Sequence, residues 1–220
     1  MKKLESSLKN MLLVLTGVTA ISVALLAYMN ELTKGPIAEA NAKALSSAIR
    51  LVVPEFDNNP TEEMGVHEID SKTYKIYPAR KEGKFVGAAV EASELGFGGE
   101  LTVLVGFDDT GKIYDYSLLS HSETPGLGSK ANIWFKKGEK GDIIGKEPGE
   151  KALLVNKDGG EVDAITASTI TTRAFLHAVN AAYAAYKGDD EVDGLSGATE
   201  VELKSETESA EESDEAVTEK

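Results

Sequence analysis

A chain of 220 residues with 37 acidic against 23 basic side chains, a formal net charge of −14 at pH 7, is poorly suited to nucleic acid, whose phosphates call for clustered Lys and Arg. The absence of cysteine removes disulfides, iron–sulfur clusters and thiolate chemistry. The three histidines, His67, His121 and His177, lie far apart and show no ligand spacing, so no metal site is expected.

The first element is the uncharged run Met11 to Met29. As a helix it is about 28 Å long at ~1.5 Å per residue, close to the roughly 30 Å hydrocarbon core of a bilayer. Only Thr16, Thr19 and Ser22 interrupt its apolar surface. Lys2, Lys3 and Lys9 precede it, while Glu31, Lys34 and Glu39 follow. The positive-inside bias then places residues 1–10 in the cytoplasm, a single transmembrane helix over 11–29, and the rest of the chain outside. The competing reading is a cleaved signal peptide, which expects a shorter apolar core and small residues at its end. Leu26-Ala27-Tyr28-Met29 does not supply them.

Pro36-Ile37 opens a second helical stretch, with Ala40, Ala44, Leu45, Ala48, Ile49 and Val52 at three- and four-residue spacing and Pro54 as its stop. Residues 30–70 read as a helical linker. From Ser71 the pattern turns to β-rich runs: Lys72–Ala79, Lys84–Ala92, Glu100–Asp108 and Lys112–Ser120, with glycine-bearing turns between them. Four such runs predict an antiparallel sheet. A short helix is expected around Asn132–Lys137, followed by the apolar run Ala152–Val155. An amphipathic helix over Ile170–Tyr186 presents Phe175, Ala178, Val179, Ala182 and Tyr186 on one face. The expected class is α+β, with the folded domain over 71–187. Residues 188–220 are expected to form a disordered acidic tail. From Lys187 to Lys220, 3 basic and 13 acidic residues sum to −10 and leave about −4 for the rest of the chain.

Two segments could carry chemistry. Thr166, Ser168, Thr169, Thr171 and Thr172 place five hydroxyls in seven positions at the start of the last helix. They can cap its free N–H groups, or they can line a site where those N–H groups and the helix dipole hold a phosphate. The second segment, His121 to Gly128 (HSETPGLG), directly follows a strand. Pro125-Gly126 forces a turn, and Gly126 and Gly128 let backbone approach a flat ligand; an ordinary connecting loop is the alternative. His121 and Glu123 could form an acid/base pair, but in a loop both are more often solvated. No Ser-His-Asp arrangement is near.

Together these segments resemble the FMN-binding domain of the RnfG and NqrC family. These are the flavin-carrying subunits of the Rnf ferredoxin:NAD⁺ oxidoreductase and of the sodium-pumping NADH:quinone reductase. The anchor, the helix after it, GFGG at Gly96–Gly99, HSETPGLG, Trp134 and DAITASTITTRAF to Phe175 occur in family order, and the short chain is more similar to RnfG. In that family the FMN phosphate is esterified to the last threonine of an S/T-G-A-T motif that follows an aspartate. The resemblance sets Asp163 to Thr169 on this motif, with Ala167 and Ser168 in place of Gly and Ala, and makes Thr169 the covalent acceptor. It further implies that Thr166, Ser168, Ile170 and Thr171 surround the phosphate or ring, and that Glu123, Thr124, Gly126, Leu127 and Gly128 form a loop over the flavin. Trp134 packs nearby or anchors the core. A literal copy of the motif, Asp193 to Thr199, lies in the tail.

The activity so implied is electron transfer within a membrane-bound, Na⁺- or H⁺-translocating complex. Its partners are the other membrane subunits, above all a flavin-carrying one, and a flavin transferase during maturation. Another extracytoplasmic electron-transfer system, a structural subunit without flavin and a solute-binding domain remain as alternatives.

Overall fold

The computed structural model describes residues 8–69, 71–149 and 151–188. The chain divides into two compact units, one up to Leu45 and one from Ser46 onward.

The first unit is a helix. Helix α1 runs unbroken from Leu8 to Val52, with Pro36 inside it. Its 45 residues correspond to about 68 Å at ~1.5 Å per residue. The expectation of a separate helix starting at Pro36 is corrected by this continuity. Proline removes one backbone donor, and the turn before it carries a side-chain bond, from the Thr33 hydroxyl to the Met29 carbonyl at 2.8 Å. The apolar run Met11–Met29 is exposed along nearly its whole length. The helix is long and apolar enough to cross a membrane.

The second unit is an α+β domain built on five antiparallel strands in the order β1-β2-β3-β4-β5. They are β1 Gly65–Ile69, β2 Lys72–Lys81, β3 Lys84–Leu95, β4 Glu100–Asp108 and β5 Ile113–His121. The four β-rich runs of the sequence are β2 to β5. Strand β1 was not legible, because only Ile69 of its five residues is buried and no alternation shows. The short helix α2 spans Ala131–Trp134, and helix α3 spans Thr169–Lys187. The run Ala152–Val155 forms no ladder; Val155 makes one isolated bridge to Val162.

The sheet is covered on both faces. On one, α3 packs over β3 and β4, and a core of Val90, Val103, Val105, Phe107, Phe175 and Val179 is fully buried. Phe135 stacks on Phe175 with centroids 4.3 Å apart, and Tyr116 meets the same ring edge-on at 5.0 Å. The Tyr116 hydroxyl donates to the Ala131 carbonyl at 2.7 Å, which fastens α2 to β5. Burial pushes that phenol well above its ordinary pKa. On the other face the end of α1 lies so close that a Cβ on Gly106 would collide with the Val52 carbonyl oxygen. Only glycine fits there.

The register sets where the site forms. Leu95 pairs with Glu100 and Leu101 with His121. The β3–β4 hairpin, Gly96–Gly99, and the segment leaving β5, Ser122–Gly128, therefore emerge at the same edge of the sheet.

Candidate cofactor-attachment site

The start of α3 is held by an unusual set of bonds. Ile165 is buried and anchors the approach to the helix. The Thr172 hydroxyl accepts from the Ile165 N–H at 3.0 Å and donates to the Ser168 carbonyl at 3.0 Å, while the Ser168 N–H donates to the Ile165 carbonyl at 2.9 Å. Between them Ala167 adopts φ +61°, a left-handed conformation that costs a non-glycine residue about 1 kcal/mol. The backbone of Ala167, which the resemblance sets on a motif glycine, takes the conformation glycine would favour.

The capping reading of the hydroxyl cluster is not what the structure shows. Ser168 is the N-cap residue and makes no side-chain cap bond. Thr172 is spent on the preceding loop, and Thr171, fully buried, donates to Glu123 at 2.8 Å. Among the described residues the first-turn N–H groups thus have no side-chain acceptor. Thr169 is half-buried at the first position of the helix, and its hydroxyl makes no hydrogen bond among the described residues. A phosphate ester fits here: the attachment oxygen is accessible, the N–H groups of Thr169 to Thr171 have no side-chain acceptor among the described residues, and the positive end of the helix dipole would favour an anion.

Glu123 joins this helix to both glycine segments. The residue is only 5% exposed; Oε1 accepts from the Gly98 N–H at 3.2 Å and Oε2 from Thr171. Its own N–H donates to His121 Nδ1 at 3.3 Å. A Cβ on Gly96 would strike Oε1, and one on Gly98 would strike the Ser122 carbonyl. One on Gly128 would strike Oε2 and lie 2.9 Å from the Thr171 hydroxyl. Glu123, Gly128 and Thr171 therefore meet directly, with the hairpin Gly96–Gly99 as a participant that the sequence reading did not place among the site residues. Thr124 and Gly126 lie on the exposed limb of the same loop with Leu127, closed by bonds from Leu127 N–H to the Thr124 carbonyl (3.1 Å) and from Gly126 N–H to Ser129 Oγ (2.9 Å). Thr166 and Ile170 are exposed beside Thr169. His121 is exposed and forms no acid/base pair with the Glu123 side chain, which is engaged elsewhere.

Further residues fix the segment leading to Thr169. Trp134 donates its indole N–H to the Asp163 carbonyl at 2.8 Å, and the Asn156 amide bonds the Asp163 carboxylate. Arg173 makes a bidentate pair with Asp158, both bonds 2.7 Å long, and its guanidinium holds the Asp158 carboxyl below the usual range. Midway along α3, His177 Nδ1 lies 2.6 Å from the Glu94 carboxylate, which also takes a bond from Lys72 at 2.7 Å. Burial opposes the charge on Glu94, but the bonds from His177 and Lys72 outweigh it and hold the pKa at about 2. A cavity of about 690 Å³ lined by Lys146, Lys151, Leu154 and Tyr183 flanks the other end of α3 and contains none of the acceptor residues.

Residues 96–184 match the FMN-binding domain family, so the paired loops and the uncapped helix belong to an FMN-binding domain. The G subunit of an ion-translocating oxidoreductase complex from Cereibacter sphaeroides is 33% identical over 167 residues, covering 73% of this chain and 75% of the relative. Proteins of the same name from Shewanella piezotolerans and Aliivibrio fischeri are each 32% identical, over 191 and 197 residues, with 81% and 84% of this chain and 88% and 93% of the relatives covered. The chain belongs to the RnfG family, the G subunits of ion-translocating oxidoreductase complexes.

Proposed function

We propose that this chain carries FMN as a phosphoester on Thr169 and passes electrons within an Rnf-type ferredoxin:NAD⁺ oxidoreductase complex that moves Na⁺ or H⁺. The observation that carries this reading is the start of α3, where an accessible Thr169 hydroxyl sits beside first-turn N–H groups that no side chain caps among the described residues, in a chain of the RnfG family. Bound FMN would supply the one- and two-electron chemistry. The chain's own residues bind and orient it. The first turn of α3, with Thr166, Ser168 and Ile170, receives the phosphate, and Thr124, Gly126 and Leu127 offer backbone and apolar surface to the ring. A covalent link suits an extracytoplasmic carrier, since lost FMN could not be replaced there.

In this reading residues 1–10 are cytoplasmic, 11–29 span the membrane, 30–70 connect, and 71–187 form the FMN domain outside. Electrons pass to and from other membrane subunits, including a flavin-carrying one, and ion movement belongs to the complex. A flavin transferase loads the cofactor. The second motif, ending at Thr199, and the tail from Asp189 to Lys220 lie outside the described residues.

Intact mass and peptide mapping of the chain co-expressed with a flavin transferase test the proposal. The expected result is a gain of one FMN less one water on the peptide containing Thr169, lost in Thr169→Val without loss of fold. The adduct on the Thr199 peptide instead would move the site into the tail. No adduct on either peptide would overturn covalent flavin carriage.

A further inference from the structure

Glu123 has a feature that holding loops together does not require. It is a carboxylate, 5% exposed, with both oxygens accepting hydrogen bonds, one from a backbone N–H and one from the Thr171 hydroxyl. Neither contact calls for a carboxyl proton. Among the described residues no basic side chain pairs with it. Of the other buried or half-buried carboxylates, Glu94 pairs with Lys72 and His177, Asp158 with Arg173, Glu91 with Lys75 and Asp115 with Lys136, while Asp108 and Asp142, nearer the surface than Glu123, accept only hydroxyl and backbone N–H bonds. A neutral glutamine could make the same two bonds, accepting from Gly98 and donating to the Thr171 oxygen. A carboxyl group in place of an amide is thus surplus to the packing, and a buried charge without a partner is expensive to keep unless it serves a purpose. Its partner Thr171 stands two residues from the acceptor, on the first turn of α3.

We propose that the Glu123 carboxylate sets the redox poise of the flavin held at Thr169, making it harder to reduce. The inference rests on the flavin-carrier reading of Thr169. Adding electrons to a flavin brings negative charge to its ring. A fixed negative charge in a water-poor surrounding acts over longer distances than one in bulk solvent, and so raises the cost of reduction. The bonds from Gly98 and Thr171 offset part of that charge and hold it in place. Glu123 acts here through its field, as a tuning residue that donates no proton and forms no bond to the cofactor.

The test is a spectroelectrochemical titration of the full-length flavinylated chain in detergent, comparing wild type, Glu123→Gln and Thr171→Val. Glu123→Gln removes the charge and keeps both bonds, so its midpoint potential is expected to shift to a more positive value. Thr171→Val keeps the charge and removes one donor that offsets it, so its potential is expected at or below wild type. A merely structural role would loosen the same junction in both variants and shift both in the same direction. An unchanged or more negative potential in Glu123→Gln overturns the proposal, and so does a positive shift in Thr171→Val. Should Glu123→Gln fail to hold flavin, the Thr171→Val result alone decides. Absence of covalent flavin from the wild-type chain would bring down the carrier reading and this inference with it, whereas a loaded wild type with an unmoved variant overturns the inference alone.

Discussion

The two ends of α3 are finished in opposite ways. At the C-terminal end Gly188 turns left-handed at φ +80°, and its N–H returns to the carbonyls of Ala184 and Ala185, so the helix closes on its own backbone. Tyr186 stacks on Phe107 at 5.1 Å and bonds the Asp108 carbonyl. At the N-terminal end the cap residue contributes no side-chain bond, and the nearby hydroxyls serve the loop before the helix and the carboxylate of Glu123. Stability alone would cap both ends, since a side-chain N-cap contributes about 1 kcal/mol. The asymmetry leaves the N-terminal end open, as the proposed attachment of FMN at Thr169 requires.

Four substitutions would break or sharpen this contrast. The largest loss of stability is expected from Arg173→Met, which leaves Asp158 without its bidentate partner. Breaking a largely buried pair in this way costs about 3 kcal/mol, to be read by denaturant unfolding, and flavin loading should fall with it. Gly128→Ala comes next at about 2 kcal/mol, because the new methyl group is forced against Glu123 and Thr171. Mass analysis should show reduced flavin on the part that still folds.

Glu94→Gln, midway along the helix, removes charge-assisted bonds and should cost about 2 kcal/mol near neutral pH. Its sign with pH is fixed. The folded pKa of about 2 lies below the ordinary 4.5, so Glu94 stabilises fully above the ordinary value and loses that contribution as pH falls towards 2. Thermal melts of wild type and Glu94→Gln should therefore converge on acidification through that window. The smallest effect belongs to Gly188→Ala. Nothing lies within 4 Å of the added methyl, and only the left-handed backbone is penalised, by about 1 kcal/mol. Flavin loading should remain unchanged, and a large loss there would erase the distinction between the two ends.

Much of this architecture is legible in the sequence because it is local. Period-2 runs with glycine turns gave β2 to β5, and the 3.6-residue periodicity of Phe175, Ala178, Val179 and Ala182 gave α3. Strand β1 escaped because Gly65-Val66-His67-Glu68-Ile69 lies at the sheet edge with most of its surface in water. The helix boundary at Pro36 was misread, since a proline that reads as a start is accommodated inside a longer helix. At the site, the hydroxyl-rich segment and HSETPGLG stand out by composition. What they do to one another does not: Thr171 and Glu123 are 48 residues apart, and no spacing rule announces that one hydroxyl will leave capping to bond a carboxylate in another loop. The same holds for Trp134, whose indole reaches 29 residues on to the Asp163 carbonyl.

The meander order of the sheet bears on when the site comes into being. Each strand pairs with its neighbour in the chain, so β1 to β5 need only short loop closures and can assemble as each follows the last. Helix α3 comes last among the described elements, and the junction of Gly98, Glu123, Gly128 and Thr171 closes only when it docks. An unfinished chain would display Thr169 on loose backbone, away from the two glycine loops. On the proposed attachment at Thr169, a transferase that reads the docked geometry would modify finished domains alone, and the attached group would certify that assembly was completed.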